Sequence, residues 1–364
     1  MRLAFFLITS IHGLIHLLGF LKAFGLSDVK QLTLPVSKQF GMIWLIVFLF
    51  CAVAAILFAL KYQYWWVFGF IASLSSQILI VFFWQDAKFG TIVNVIILIA
   101  SIIGFSTWNY FNHYQNDVKT ALKKTDFSQN SKLTESDIQD LPDPVKRYLR
   151  YTGSIGKPKV KNFKIGFVGK IRKDEQSEWM PFTSEQYNFM ETTSRLFFMK
   201  AEMKGLPVAG YHSFKNGEAF MDIRLLSLFR VQYQHGVEMD LSETVTFFND
   251  MCCMAPATLI DKRIKWLEIE TNRVRASFTN NNISVSAWLY FNENGELINF
   301  ISEDRYSAEA GKQLPWSTPL KDYREIHGYK LLGNAETIYS YPDKDFSYGI
   351  FKLSSIEYNS KDIN

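Results

Sequence analysis

The sequence predicts an N-terminal four-helix transmembrane bundle followed by an α+β domain, in which a curved antiparallel β half-barrel of about ten strands carries a helix on its concave face. Three observations support this prediction. Four uncharged apolar stretches near the N-terminus are each long enough to span a bilayer. From residue 158 onward, apolar and polar residues alternate with a period of two, which is typical of half-buried strands. Strands and helices do not alternate there, so the sheet is expected to be antiparallel.

The four apolar stretches cover residues 3–21, 39–60, 62–85 and 89–116. Each has about the 20 residues that a helix needs to cross the hydrocarbon core. Aromatic residues such as Trp65, Trp84 and Trp108 lie near the ends of these stretches, as in an interfacial belt. No small-residue cleavage site follows the first stretch, so we interpret it as a retained span rather than a signal peptide.

The charges are divided unevenly along the chain. Of 39 basic and 35 acidic residues, six and two lie in residues 1–111, which leaves 33 of each in the remainder. The second part therefore lacks the basic excess of a nucleic-acid-binding domain. Five basic residues flank the spans on one side and four on the other, so the positive-inside rule does not decide the orientation.

Polar residues inside the spans form a predicted cluster in one leaflet. His12 and His16 are four residues apart and share a helix face. Gln77 and Asn94 lie at a similar depth in the third and fourth spans. Two interpretations remain open: a haem, metal or proton site, or interhelical hydrogen bonds between polar groups that avoid lipid. The second is favoured, and no metal site is predicted because a third protein ligand is missing.

We predict three segments: a transmembrane domain over 1–111, a polar linker over 112–140 that is at most partly helical, and a C-terminal domain over 141–364. At the start of the last segment, Asp143 is a candidate N-cap and Pro144 suits the first helical position. Gly153 is expected to end the short helix that follows.

The strands of the C-terminal domain are predicted from alternation and turn signals. Asn216-Gly217 and Asn294-Gly295 each separate two strand-like stretches, which predicts hairpins with type I′ turns. The predicted strands start near 158 and also cover residues 179–189, 195–204, 211–215, 218–224, 264–270, 273–279, 283–293, 296–303, 323–332, 336–341 and 346–358.

One apolar helix interrupts the strands. Asp240 is a candidate cap, and Glu243 would complete a capping box with it. Pro256 is expected to kink this helix or to start a second short helix. Because the helix is apolar on more than one side, we expect it to lie on the concave face of the sheet.

Catalytic motifs are missing from the sequence, including Gly-rich phosphate loops, HExxH, GxSxG and paired CxxC. His212 with Glu185, Asp222 and Asp250 is a conceivable acid–base set. Buried, hydrogen-bonded polar groups explain the same residues and are the favoured interpretation. Cys252 and Cys253 are expected to be structural, Cys51 lies in an apolar stretch, and neither a metal nor a cofactor is predicted.

The C-terminal domain is unusually rich in large apolar residues. A curled sheet of about ten strands encloses a lumen, which is either a packed core or a ligand cavity. Flexible Met and Phe side chains suit acyl chains. The predicted ligand-binding residues are Phe197, Met199, Phe214, Phe220 and Met251.

Many short sequence blocks resemble an uncharacterised bacterial membrane-protein family, a domain of unknown function with a β-rich C-terminal domain. They include Leu141-Pro-Asp-Pro, Trp179-Met-Pro-Phe182, Gly205-Leu-Pro-Val208, Gly210-Tyr-His212, Phe247-Phe-Asn-Asp-Met251, Ala255-Pro-Ala-Thr-Leu-Ile-Asp261 and Trp316-Ser-Thr-Pro319. The resemblance covers about residues 140–358 and implies no activity. The strand pattern is more loosely similar to the outer-membrane lipoprotein carrier half-barrel, which binds acyl chains; this likeness is architectural only.

We therefore expect an integral protein of the bacterial inner membrane whose C-terminal domain leans toward the extracytoplasmic side. The first functional hypothesis is a membrane-anchored binding module for a lipid or other apolar ligand, with the bilayer as its partner and no nucleic acid. The alternatives are a membrane-associated enzyme that acts on an amphipathic substrate and a scaffold that binds a partner along a sheet edge.

Overall fold

The computed structural model describes residues 2–128 and 131–363 and divides the chain into two compact units, residues 1–112 and residues 113–364. We call them the helical unit and the β domain. Gln129 and Asn130, which belong to the predicted linker, lie outside the described residues.

Five helices begin within the described residues of the helical unit. They are α1 (Arg2–Ala23), α2 (Lys38–Ala59), α3 (Trp65–Phe82), the single turn α4 (Trp84–Ala87) and α5 (Gly90–Lys124). All except α4 are long and apolar enough to cross a membrane, which confirms the four predicted apolar helices. A methyl group at Gly19 would overlap the Trp44 ring, so glycine allows α1 and α2 to approach closely.

The last turns of α5 belong to the β domain. Tyr114 and Val118 are fully buried there. The Tyr114 hydroxyl donates to Glu185 on strand β2 (Met180–Phe189) at 3.1 Å. A 3₁₀ turn (Glu135–Ile138) and helix α6 (Asp143–Tyr151) follow. Helix α6 begins one residue earlier than predicted: Pro142 is its N-cap and Asp143 is the first helical residue. Gly153, with φ of +68°, follows its end as predicted.

In the described part of the chain, thirteen strands form one antiparallel sheet in the order β6-β5-β4-β3-β2-β1-β17-β16-β13-β10-β9-β8-β7. Two further pairs, β11–β12 and β14–β15, form separate ribbons. The strands are β1 (Asn162–Ile171), β2 (Met180–Phe189), β3 (Ser194–Met203), β4 (Leu206–Lys215), β5 (Glu218–Leu225), β6 (Phe229–His235), β7 (Ile264–Ile269), β8 (Arg273–Asn280), β9 (Ile283–Phe291), β10 (Leu297–Ser302), β11 (Tyr306–Ser307), β12 (Lys312–Gln313), β13 (Trp316–Lys321), β14 (Arg324–Ile326), β15 (Tyr329–Leu331), β16 (Asn334–Ser340) and β17 (Asp345–Tyr358).

The antiparallel sheet is confirmed, but it has more strands than the ten predicted. Strands β6 and β13 were missed. Residues 323–332, predicted as one strand, are the hairpin β14–β15, because His327 and Gly328 both take positive φ and reverse the chain. Both Asn-Gly hairpins are present. At residues 216–217 both φ angles are positive, as a type I′ turn requires. At residues 294–295 only Gly295 has a positive φ, so the predicted type I′ turn is wrong there.

One phenylalanine shows how strongly the sheet curls. Phe247 lies on helix α7 (Val237–Met254), which connects the two edge strands. Its ring centroid is 6.1 Å from that of Phe214 on β4 and 5.9 Å from that of Phe278 on β8. In a flat sheet these strands, nine steps apart, would be separated by about 43 Å. The sheet therefore wraps around α7, which lies on its concave face, as predicted.

The predicted capping box of α7 is wrong. The helix starts at Val237 after Gly236, whose φ is +95°. The Asp240 carboxylate instead accepts the Ala219 backbone N–H at 2.6 Å, and Glu243 pairs with Arg195 on β3. Asp240 and Glu243 therefore make tertiary contacts instead of capping the helix. Pro256 begins a short 3₁₀ helix (Pro256–Ile260), as expected.

Candidate functional site

A cavity of about 240 Å³ lies beside α7 in the lumen of the curled sheet. We call it the central cavity. Strand alternation determines its lining, since Phe197, His212 and Met221 are direct neighbours across β3, β4 and β5 and share the inner face. Its apolar lining consists of Phe167, Ile171, Phe197, Met199, Met221, Ile223, Met254, Trp316, Ala335 and Phe351.

Buried charged residues form one wall of the cavity. Arg195 donates to Asp250 at 2.8 Å, to Glu243 at 3.0 Å and to the side-chain oxygen of Gln186 at 2.9 Å. Gln186 also donates to Asp250, at 2.7 Å, and so does Asn188, at 3.0 Å. We call these five residues the Arg195 network. Every one of them is buried, so their hydrogen bonds replace those that water would otherwise make.

The pKa values of the two carboxylates in this network shift in opposite directions. Burial raises the pKa of Glu243, but Arg195, His212 and Arg305 outweigh it and lower the pKa to about 2. Burial dominates at Asp250 and raises its pKa, although Arg195 and the amides of Asn188 and Gln186 oppose that shift. Glu243 is therefore the stronger acid of the pair and carries the firmer negative charge at neutral pH.

A second arginine, Arg305, also lines the cavity. The Arg305 guanidinium donates to the Tyr339 hydroxyl at 3.1 Å and to the Ser242 carbonyl at 2.9 Å, and it also contacts the Thr246 hydroxyl. Its central carbon lies 4.6 Å from the Trp316 ring centroid, a cation–π distance. The direct hydrogen-bond partners of Arg305 are thus neutral, and its carboxylate neighbour, Glu243, acts on it without a direct contact. The direct partners of Arg195 include two carboxylates.

The four candidate catalytic residues lie on two faces of the sheet. His212 and Asp250 line the cavity, and the His212 Nδ1 atom lies 3.8 Å from a Glu243 carboxylate oxygen. Glu185 points to the other face, where it contacts Tyr114 and Lys164. Asp222 points to that face as well. It pairs with Arg224 at 2.7 Å and with Arg230 at 3.1 Å. The four residues therefore do not converge on one substrate position.

The five predicted ligand-binding residues separate in a similar way. Phe197 and Met199 line the central cavity. Phe214 and Met251 are fully buried in the packed core beside it. Phe220 is on the outer face, where its ring contacts those of Tyr211 and Tyr233.

The structure brings the predicted intramembrane residues together. The His12 Nε2 atom lies 2.9 Å from the Asn94 side-chain oxygen, and the Asn94 amide donates to Gln77 at 3.0 Å. Ser76, which sequence reasoning missed, contacts both histidines, at 3.1 Å from His12 and 2.9 Å from His16. We call these five residues the helical polar cluster. Its hydrogen bonds join neutral groups of α1, α3 and α5.

His16 shows how the cluster is ordered. Its Nδ1 atom lies 2.9 Å from the His12 carbonyl, which can only accept, so this nitrogen carries the proton. In the neutral ring Nε2 then accepts from Ser76. No group of three or more His, Cys, Asp or Glu residues with metal-binding geometry occurs among residues 2–128 and 131–363.

Sequence reasoning also missed Arg195, Glu243 and Arg305. A signal did exist for Arg195, because it is the one charged residue in the apolar stretch 194–199. A charge inside a strand that is otherwise buried needs a partner. Its partners lie 48 and 55 residues further along the chain, so the sequence alone does not identify them.

Two larger depressions lie on the surface of the β domain. One of about 690 Å³ is lined by mixed charges that include Asp117, Lys124 and Lys215, and one of about 480 Å³ lies near Tyr329 and Tyr358. Neither has the combination of a continuous apolar lining and a buried charged wall. The central cavity is therefore the candidate site.

The model of the Family of unknown function (DUF6544) matches residues 131–351. No curated protein matches the chain.

Three solved structures resemble the chain at the coarse level of the fold. A domain named as an outer membrane lipoprotein-sorting protein domain, from Vibrio parahaemolyticus, is 11% identical, with 59% of this chain and 92% of that chain covered and a TM-score of 0.35. A LolA superfamily protein from Nitrosomonas europaea is 10% identical, with 59% and 94% covered and a TM-score of 0.33. A DUF1329 family protein from Desulfovibrio piger is 9% identical, with 63% and 94% covered and a TM-score of 0.34.

Proposed function

Since the chain belongs to the Family of unknown function (DUF6544), we propose its function from its own cavity: the β domain binds a lipid or other apolar molecule beside α7, and the apolar helices anchor that domain to a membrane. The central cavity carries this proposal. Its lining combines Met and Phe side chains, which adapt to flexible chains, with a few fixed polar groups.

The size of the cavity limits the ligand. Pockets that enclose drug-sized molecules measure roughly 300–1,000 Å³. At about 240 Å³, the central cavity fits part of one acyl chain rather than a lipid with two chains. Each methylene that leaves water for this lining contributes about 0.8 kcal/mol, so burial of a few methylenes gives useful affinity.

Apolar side chains continue along the inner face from the cavity toward the β3–β4 turn. Beyond Met199 and Ile223, the next inner-face positions toward the β3–β4 turn are Ala201, Val208 and Leu225. The turns that follow expose four large apolar side chains: Met203 (39%), Leu206 (39%), Leu228 (40%) and Phe229 (58%). We call these four residues the hairpin tips. Exposed apolar groups of this kind mark contact sites for membranes or partners, and we propose that lipid enters along this path.

We further propose that the protein resides in the inner membrane of a bacterium with the β domain on the extracytoplasmic side. The four apolar helices support membrane residence. The side is tested by reaction of a Ser128→Cys variant with a membrane-impermeant maleimide in intact cells, because the three native cysteines are buried. Labelling without cell lysis is expected; labelling only after lysis would place the β domain in the cytoplasm.

The binding function is tested by photo-crosslinking of the full-length chain in nanodiscs that contain lysophosphatidylglycerol with a diazirine in its single acyl chain. Peptides from β3 and β5 are expected to carry the label. Ile223→Trp fills the cavity and should remove most of that label. Ile298→Trp makes the same substitution at an exposed position of β10 outside the cavity lining and should leave the label unchanged.

The apolar helices act as an internal reference, because the lipid probe labels them whether or not it binds in the cavity. Label on the spans but none on β3 or β5 would contradict the proposed function. Equal loss of label in both tryptophan variants would also contradict it, since only one of them fills the cavity.

A further inference from the structure

The charges around the central cavity do not cancel. Its lining includes Arg172, Arg195 and Arg305 but only two carboxylates, Glu243 and Asp250. Arg195 contacts both carboxylates directly. The lining therefore carries one excess positive charge even with His212 neutral.

Arg305 and Arg172 both lack a carboxylate within ion-pair distance in the described part of the chain. The Arg305 partners are a phenol, a hydroxyl and a backbone carbonyl. Arg172 donates to the Ser347 carbonyl at 2.9 Å and stacks near Trp179, 4.6 Å from the ring centroid. A guanidinium presents five N–H donors, so each arginine retains N–H groups that these partners do not occupy.

Aromatic contacts link the two arginines. The Trp316 indole donates to the Tyr348 hydroxyl at 3.0 Å, and the Tyr348 ring stacks on that of Tyr339 at 5.4 Å. Tyr339 in turn accepts from Arg305, while the backbone N–H of Arg172 donates to the Tyr348 carbonyl at 3.0 Å. The two arginines are therefore connected through aromatic side chains of β13, β16 and β17, while Met and Phe side chains of β3 and β5 line the same cavity.

We propose that the ligand of the central cavity is a single-chain anionic amphiphile, whose carboxylate or phosphate binds Arg305 and Arg172 while its chain packs against β3 and β5. This inference rests on the proposed function and specifies its ligand class. Both arginines are half-buried and have no carboxylate in direct contact among the described residues. Guanidinium groups bind planar carboxylate or phosphate oxygens through paired hydrogen bonds. An anionic head group supplies the missing charge, and one chain suits the cavity volume.

The test compares two photoactivatable probes, a diazirine derivative of palmitic acid and the matching derivative of hexadecanol, at pH 8. The full-length chain is placed in phosphatidylcholine nanodiscs. Label on β3 and β5 peptides is divided by label on the spans, which corrects for partition into the bilayer. The acid is expected to give a ratio roughly tenfold above the alcohol, because a charge-assisted hydrogen bond forms only with the acid.

Variants locate the effect. Arg305→Met should lower the ratio for the acid roughly tenfold and leave the ratio for the alcohol unchanged. Arg275→Met removes an exposed arginine of β8 that pairs with Glu268, and it should change neither ratio. Loss of the near-ultraviolet circular dichroism signal would show that Arg305→Met does not fold. In that case Arg172→Met and the comparison of acid with alcohol in the wild type still test whether the ligand is anionic. Competition by unlabelled palmitate or by lysophosphatidic acid distinguishes a carboxylate from a phosphate head.

Each outcome separates the two proposals. Equal ratios for acid and alcohol in the wild type would overturn the anionic ligand but leave apolar binding in place. Absence of label on β3 and β5 with both probes would overturn both.

Discussion

Two buried polar groupings in the described part of the chain differ in whether their members are charged and line a cavity. The helical polar cluster joins His12, His16, Ser76, Gln77 and Asn94, all of which can be neutral and find partners within the cluster. The Arg195 network joins charged groups, and its members Arg195, Glu243 and Asp250 line an open cavity.

The two groupings differ in whether their hydrogen bonds and charges are fully satisfied within the protein. Neutral hydrogen bonds that close on one another hold helices together and require nothing else. Charges that line a cavity with an excess arginine are stabilised further by a ligand of opposite charge. We therefore propose a structural role for the helical polar cluster and a binding role for the cavity. This assignment leads to four predictions.

The largest effect is expected for Glu243→Gln. The variant leaves Arg195 and Arg305 short of a buried negative charge and should destabilise the β domain by about 3–5 kcal/mol. The measurement is chemical denaturation of the full chain in detergent, followed by near-ultraviolet circular dichroism. Glu268→Gln, on an exposed ion pair with Arg275, is the control and should cost less than about 1 kcal/mol. Similar values for the two variants would remove the distinction between the buried network and a surface pair.

The second prediction concerns acid. The pKa of Glu243 falls from 4.5 to about 2 in the folded state, so its stabilising contribution is complete above pH 4.5 and is lost as the pH falls toward 2. Asp250 acts in the opposite direction, because its raised pKa makes protonation favour the folded state. Denaturation midpoints between pH 5 and 2 should fall less steeply in Glu243→Gln than in the wild type. Parallel pH profiles would contradict the ionised state of Glu243.

A smaller effect is expected in the helical unit. Ser76→Ala removes the hydroxyl shared by His12 and His16 and should cost about 0.6 kcal/mol, the average for interhelical hydrogen bonds in membranes. Ser75→Ala is the control, because the Ser75 hydroxyl donates to carbonyls of its own helix. Thermal unfolding in detergent measures the change in stability of both variants. Loss of cavity photolabelling in Ser76→Ala would show that the helical polar cluster is not merely structural.

The smallest effect on stability is expected at the hairpin tips. Phe229→Ser replaces a side chain that is 58% exposed and should change the free energy of unfolding by less than about 0.5 kcal/mol. It should nevertheless slow the appearance of label in the cavity after probe is added to nanodiscs. Ile269→Ser, at an exposed position of edge strand β7, is the control. Unchanged labelling kinetics in Phe229→Ser would argue against entry at the tips.

Sequence patterns predicted those features that depend on local periodicity. The depth of His12, His16, Gln77 and Asn94 follows from helix rise, so their meeting could be anticipated. Ser76 could not be singled out, because many serines in spans bond only to their own helix, as Ser75 does. The period of two predicted the sheet, and the Asn-Gly signals predicted two of its hairpins.

The predictions that were wrong concern features that depend on strand register and on partners distant in the sequence. Asp222 lies opposite Tyr211 and shares the outer face, which follows only from the pairing of β4 with β5. Glu185 is adjacent to Gln186 and must therefore face away from the cavity that Gln186 lines. Glu243 matched a local capping box, yet Arg195, 48 residues away, bound it instead. Tertiary contacts of this kind are not encoded in spacing.

The most direct test of the central claim is native mass spectrometry of the full-length chain released from nanodiscs of bacterial lipid extract, followed by solvent extraction of any bound molecule. The account predicts one additional mass per chain that extracts as a single-chain acidic lipid. It also predicts that this mass is retained by Ile298→Trp and lost by Ile223→Trp. A wild-type chain without the additional mass, or one that Ile223→Trp retains in full, would contradict the claim that the central cavity is a lipid-binding site.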